Sequence, residues 1–421
     1  MTNGNADQQS KGPAFEWWMF SFFGFGAGFS AFVSLLIPPF VTEATGNAAD
    51  AGVVMAIISL AAVLGPVLGG FADKYRAHRL VLNLGMFGMA LAFAAYALSA
   101  GDSVVTALDA ILMGTSIAAI NAVGPVFILG AGLSQTLQAK RLTALNLMAP
   151  IGQVVGGALL GAAAAAGWSY PQRFWLSAAF MLVSALVVLF SSGKAAARIH
   201  TDTPVKASKG EESAKTTGLK QVMISTFGVY LLILILSSIG NNGINAQIAN
   251  ILPNVYGIDQ TTTSGLISLA GLLSIVAMFL AGAWMGRSGA TVDITGGNII
   301  RLVGAAAMAL LGLAADAPVL LAAGAMQIFY FSNSFVRLAQ PVVAVRFATI
   351  PAGAASGWVI GASAIGSFVG SLLGGWLADT VGFNAINWMA VVSIGVAVLL
   401  IFVNLWPAER QKRKEEAARS A

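Results

Sequence analysis

Gly65-Pro66-Val67-Leu68-Gly69-Gly70-Phe71-Ala72-Asp73-Lys74-Tyr75-Arg76-Ala77-His78-Arg79 is the stretch that organises the reading of this chain. A Gly-rich apolar run ends in a short charged turn, and a second apolar run begins at once at Leu80. Ionisable groups are costly in hydrocarbon, so charge confined to a hinge between two long apolar runs marks a loop joining membrane-spanning helices.

Composition points the same way. Charged residues make up 9% of the chain and hydrophobic ones 57%, with a mean hydropathy of +0.81. Ordinary soluble domains carry about 25% charged residues. Lipid must therefore solvate the outer surface, and the backbone must satisfy its hydrogen bonds internally as helices. The absence of cysteine excludes disulfides, thiolate metal sites and cysteine nucleophiles. The net charge of +5 is not a nucleic-acid signature, because the bases lie in loops and at the C-terminus.

Working outward from the loop, apolar segments fall at 15–39, 51–71, 80–100, 104–133, 142–166, 174–192, 222–251, 262–285, 299–315, 319–347, 353–378 and 385–406. Each approaches the roughly 20 residues that a spanning helix needs. The pattern predicts an all-α polytopic membrane protein of twelve helices in two pseudo-symmetric six-helix bundles. Residues 1–14 form an N-terminal tail, 15–193 the first bundle, 194–220 a polar linker, 221–407 the second bundle and 408–421 a basic tail. Arg79-Leu80-Val81 is echoed by Arg301-Leu302-Val303, and 69–74 more weakly by 282–287, which supports a tandem repeat. Small-residue pairs such as Gly157/Gly161 and Gly366/Gly370 suit close helix contact.

Alternate loops carry Lys74, Arg76 and Arg79, then Lys140 and Arg141, the linker bases, Arg287 and Arg346; the others are mainly acidic. The positive-inside rule then places both termini in the cytoplasm, as a multi-pass protein of the plasma (inner) membrane.

The quoted loop resembles the signature between the second and third helices of the major facilitator superfamily. Gly69, Asp73 and Lys74 match that signature, Arg79 falls just beyond its last bases, and Arg76 stands at its turn glycine. The resemblance implies a secondary transporter, symporter or antiporter, working by rocker-switch alternating access. It further implies that Gly69, Asp73, Lys74 and Arg79 govern the conformational equilibrium. Helices 1, 4, 7 and 10 of that family line a central cavity.

Polar residues inside the apolar segments supply the remaining candidates. Asp109 lies roughly 9 Å into the fourth segment and is the candidate for proton coupling. On the tenth, Gln327, Tyr330, Ser334 and Arg337 share a helical face with Asn333 and Gln340 beside them. A guanidinium there suits a carboxylate or other organic anion. The seventh segment clusters Asn241, Asn242, Asn245, Gln247 and Asn250 around Gly240 and Gly243, which predicts a bent or broken helix facing a cavity. Substrate contact is assigned to Asn241, Asn245, Gln327, Tyr330, Asn333 and Arg337. Arg301 is placed near a membrane edge as an anchor or gate.

The expected partners are a small-molecule substrate, a coupling proton and membrane lipids. No cofactor, metal or nucleic acid is expected, and the protein is taken as a monomer. No nucleotide-binding loop or catalytic constellation is present, so an enzyme is not expected. Two alternatives stay open. One is efflux of lipophilic or amphipathic compounds, carried by the Phe-rich first segment. The other is a transport-incompetent receptor or assembly factor on the same scaffold.

Overall fold

The computed structural model describes residues 12–99, 101–199, 224–314, 317–348, 350 and 352–420. Most of the expected linker, 200–220, lies outside the described residues, as does most of the N-terminal tail.

Twelve helices are long and apolar enough to cross a membrane. They are α1 (Trp17–Thr45), α2 (Ala48–Tyr75), α3 (His78–Leu98), α4 (Ser103–Leu129), α5 (Gln135–Ala165) and α6 (Tyr170–Ala196). Then follow α7 (Thr226–Tyr256), α8 (Gln260–Ser288), α9 (Ala290–Leu311), α10 (Val319–Phe347), α11 (Ala355–Thr380) and α12 (Asn384–Ala418). Their starts follow ordinary capping chemistry. Asn47, Asp102, Ser134 and Ser225 each accept a backbone N–H from the first turn of the helix that follows.

The chain divides into two compact units, Met1–Pro204 with Asp259–Leu272, and Val205–Ile258 with Leu273–Ala421. In the first unit the opening half of α8 packs on α5. Gln153 Nε2 donates to the Ile267 carbonyl at 3.0 Å, and Ser268 Oγ to that of Val154 at 3.0 Å. A β-carbon on Gly157 would stand 2.4 Å from Ser268 Oγ and 2.9 Å from the Ser264 carbonyl, so this contact needs glycine.

Helix irregularity falls on α1, on α2 at Ala62–Leu64 and on α12 at Ile401–Leu405, not on α7. Residues Gly26–Val33 of α1 widen into a π-helix, whereas α7 runs unbroken from Thr226 to Tyr256. The amides around Gly240 and Gly243 thus do not break their helix; the glycines serve close packing against α12, where Ile394 and Met389 stand. On α1 the widening coincides with very close approach to α5, since a β-carbon at Gly26 would meet the Ala149 carbonyl. Such π segments relieve crowding while keeping backbone bonds satisfied.

The ninth helix begins at Ala290 rather than 299, and only Gly289, with φ +91°, separates it from α8. The echo of Arg79-Leu80-Val81 at Arg301 therefore does not mark the start of a helix. Arg79 is the second residue of α3, while Arg301 is the twelfth of α9, so the two do not correspond. The polar run Thr291, Asp293, Thr295 and Asn298 concealed the helix start, because these residues are buried rather than solvated.

The C-terminal tail is the helical continuation of α12, Trp406–Ser420. Buried Glu409 accepts from Arg346 at 2.5 and 2.9 Å, from Arg413 Nε at 2.8 Å and from Thr291 Oγ1 at 3.2 Å. Lys412 donates to the Arg346 carbonyl. These bonds hold the tail against the ends of α9 and α10.

Candidate functional site

The second unit is organised around Arg301. It sits at the middle of α9 and is 4% exposed, which corrects its expected place at a membrane edge. Its Nη1 donates to Ser237 Oγ of α7 at 2.8 Å. Nη2 donates to Asn333 Oδ1 of α10 at 2.6 Å, and Nε to Ser332 Oγ at 3.2 Å. Ser237 Oγ in turn donates to Asn298 Oδ1 at 2.6 Å. No acid pairs with this guanidinium among the described residues; neutral oxygens from two helices, α7 and α10, solvate it instead. The arrangement ties α7 and α10 to one centre and fixes the amide of Asn333, whose oxygen is engaged and whose NH2 is left to donate elsewhere.

Around that centre the structure sorts the predicted residues. On α10, Arg337 is exposed and Asn333 half-buried, while Tyr330 and Gln327 are buried. Steps of three and four residues put Tyr330, Asn333, Arg337 and Pro341 on one side of the helix. Arg337 forms no hydrogen bond or ion pair with a described residue. Ser334 and Gln340 leave the candidate set. Ser334 donates to the Ser274 carbonyl at 3.1 Å, and Gln340 Nε2 donates to Ser363 Oγ at 2.8 Å. Tyr230 of α7 donates to the Gln340 carbonyl at 2.7 Å, a further link between α7 and α10.

The α7 amides divide likewise. Asn242 donates to Ser367 Oγ at 2.7 Å and is a tie to α11, and Asn250 donates to Gln247 Oε1 at 2.8 Å. Asn241 and Asn245 are half-buried and lie one and two turns from Ser237 on the same stripe. The oxygen Oδ1 of Asn241 is buried without a partner among the described residues.

Asp109 belongs to the first unit. It is 6% exposed on α4, and its Oδ2 has no partner among the described residues. A second buried acid was missed by the sequence reading. Asp293 is 0% exposed in the first turn of α9, and neither of its oxygens has a partner among the described residues. Its signal was an acid beside a short turn, indistinguishable in sequence from a solvated loop residue.

The 2–3 loop keeps the tight turn despite losing its glycine. Arg76 ends α2 with φ +52°, ψ +35°, the one non-glycine residue with positive φ among those described. Asp73 Oδ1 pairs with His78 Nε2 at 2.8 Å. Lys74 and Arg79 are exposed, and Arg79 Nη2 donates to the Leu189 carbonyl of α6 at 3.0 Å. A β-carbon at Gly69 would come no closer than 3.9 Å to Ala122, so packing within this unit does not demand glycine there.

At the same end of the first unit, where α1 and α5 start and α6 ends, Glu16 gathers Arg141 Nη2 at 2.7 Å, Trp18 Nε1 at 2.8 Å and Arg198. Burial pushes its carboxyl up, but the hydrogen bonds from Arg198 and Trp18 and the charge of Arg141 outweigh this and hold it below the usual range. Among the described residues no group of three or more His, Cys, Asp or Glu side chains stands together to hold a metal.

Twelve helices long and apolar enough to cross a membrane, with polar centres buried among them, define a multi-pass membrane protein. The model of the Major Facilitator Superfamily matches residues 18–350, and the chain belongs to that family. Among solved structures it is similar to the nucleoside transporter NupG, at 14% identity and a TM-score of 0.71, covering 92% of this chain and 97% of that one. The D-xylose–proton symporter matches at 14% identity and a TM-score of 0.70, over 92% and 96% of the two chains. A partially occluded inward-open form of the xylose transporter XylE from E. coli matches at 14% identity and 0.66, over 91% and 95%. None of the curated proteins matches the sequence.

Proposed function

We propose that this transporter carries a small organic anion, a carboxylate in the first instance, by rocker-switch alternating access with a proton as coupling ion. The observation that carries the reading is Arg337, an exposed guanidinium with no acid partner among the described residues, on the same side of α10 as Asn333. A free guanidinium fork favours a planar oxyanion. Asn333, held by Arg301, offers an amide N–H2, and Tyr330, Gln327, Asn241 and Asn245 complete the polar contacts. Asp109 is the proton site, and Gly69, Asp73, Lys74 and Arg79 set the balance of states. Positive loops place both termini in the cytoplasm and the protein in the plasma (inner) membrane.

The alternative, efflux of lipophilic or amphipathic compounds, would draw on the half-buried Phe20, Phe23 and Phe29 of α1, since Phe22, Phe25 and Phe32 are buried. Phe32 is buried edge-on against Phe93 and Phe180, and Phe23 and Phe25 pack on Phe180 and Phe29. The test is counterflow of labelled solutes in proteoliposomes, set across carboxylates, nucleosides and pentoses. Carboxylates are expected to exchange, with apparent affinity reduced about tenfold or more in Arg337→Ala, the loss of one charge-assisted pair. Exchange of neutral solutes alone, or unchanged affinity in the variant, would overturn the assignment.

A further inference from the structure

Along α3 the first unit carries an open apolar groove of about 850 Å3. Leu84 and Leu91 of α3 and Trp175, Ala179 and Leu182 of α6 line it, and Phe71 of α2 stands at one end. No ionisable side chain lines it. The hydroxyl of Ser116, one of its few polar groups, already donates to the Leu112 carbonyl at 2.7 Å. A polar solute would find nothing to bind there.

The groove lies wholly within spanning helices, where the surrounding solvent is hydrocarbon. Along α3 it runs from Val81 to Ala94, roughly 20 Å, against about 15 Å for one leaflet of a 30 Å hydrocarbon core. It is long enough for an acyl chain.

Its two ends differ in charge. At the end where α2 turns into α3, Lys74, Arg76 and Arg79 are exposed, and so is Lys194 near the end of α6. Arg79 bridges the start of α3 to the end of α6 through the Leu189 carbonyl, and its guanidinium carbon would be 3.5 Å from a β-carbon on Gly193, next to Lys194. The local acid, Asp73, is paired with His78. At the other end of α3 the loop carries Asp102, and Arg173 of α6 is bonded to Gln260 Oε1 at 2.7 Å.

We infer that this groove is a binding site for an anionic phospholipid. One acyl chain lies along α3 between α6 and α4, and the phosphate sits on Arg79, Arg76 and Lys194. The ligand is thereby placed on the same loop that is proposed to set the transporter's balance of states. The binding inference stands on the groove and its charged end and does not depend on what the protein carries.

The test uses the full chain purified in neutral detergent and exposed to phosphatidylglycerol or phosphatidylcholine with identical acyl chains. Retained lipid is counted by native mass spectrometry. Wild type is expected to retain more phosphatidylglycerol, by about fivefold for each engaged cation. Ala179→Trp, which fills the groove from an exposed position, should lose both lipids. The double change Arg76→Gln with Lys194→Gln should keep one lipid but lose the preference. Leu91→Trp serves as a second groove-filling variant if Ala179→Trp melts lower than wild type in detergent alone. Equal retention of the two lipids by wild type, or full retention in both Trp variants, would overturn the proposal. So would a preference abolished by neutralising Arg410 and Lys414 on the tail.

Discussion

Arg76 occupies a backbone conformation that costs an L-residue about 1–2 kcal/mol, and the family signature it departs from has glycine there. Arg76→Gly is therefore expected to raise stability by about 1 kcal/mol, read as a higher melting temperature in detergent. A fall would mean that the Arg76 side chain contributes more than its backbone costs. Glu16 makes the opposite case, in which side-chain bonds dominate. Its carboxyl is held below the usual range in the folded state, so its contribution is complete above the unfolded value and is lost as pH falls through the lower folded one. Glu16→Gln should lower stability by about 1–2 kcal/mol at pH 7, and by less near pH 3. Melting curves at the two pH values check this; a pH-independent loss would assign the residue to packing alone.

At the scale of helices, close approach is set by glycine. Gly366 and Gly370 of α11 face the backbone of α7, where β-carbons would stand 2.4 and 2.3 Å from the Ile235 and Ile239 carbonyl oxygens. Gly370→Ala is expected to cost about 1–3 kcal/mol by overpacking. Gly361→Ala on the same helix meets nothing within 4 Å and should be silent, so comparable losses in both would refute the packing account. The pair Gly366/Gly370 was legible in the sequence because small residues four apart have one common use in membranes. The start of α9 was not. Thr291, Asp293, Thr295 and Asn298 read as a loop in a hydropathy pattern, and only their burial against neighbouring helices shows otherwise. Nor did spacing separate Asn241 and Asn245 from Asn242 and Asn250, because all of them are amides on one helix and only the neighbours decide which are already bonded.

For the whole molecule, coupling is the property at issue. Asp109 is a buried acid of the first unit, while Arg337 and the Arg301 centre belong to the second. Asp109→Asn should abolish accumulation driven by a proton gradient in proteoliposomes while leaving solute counterflow intact, because exchange needs no net proton movement. Accumulation that survives would transfer the coupling role away from Asp109, with Asp293 the next acid to change. The number of spans and the family were determined by the sequence by itself, because they rest on chain-wide composition and on local patterns that a helix in lipid must obey. Which polar residues are spent and which remain open was decided only by the tertiary structure. A side chain's hydrogen-bond partners come from distant segments, as Ser237, Asn333 and Ser332 do for Arg301, and no local pattern records them.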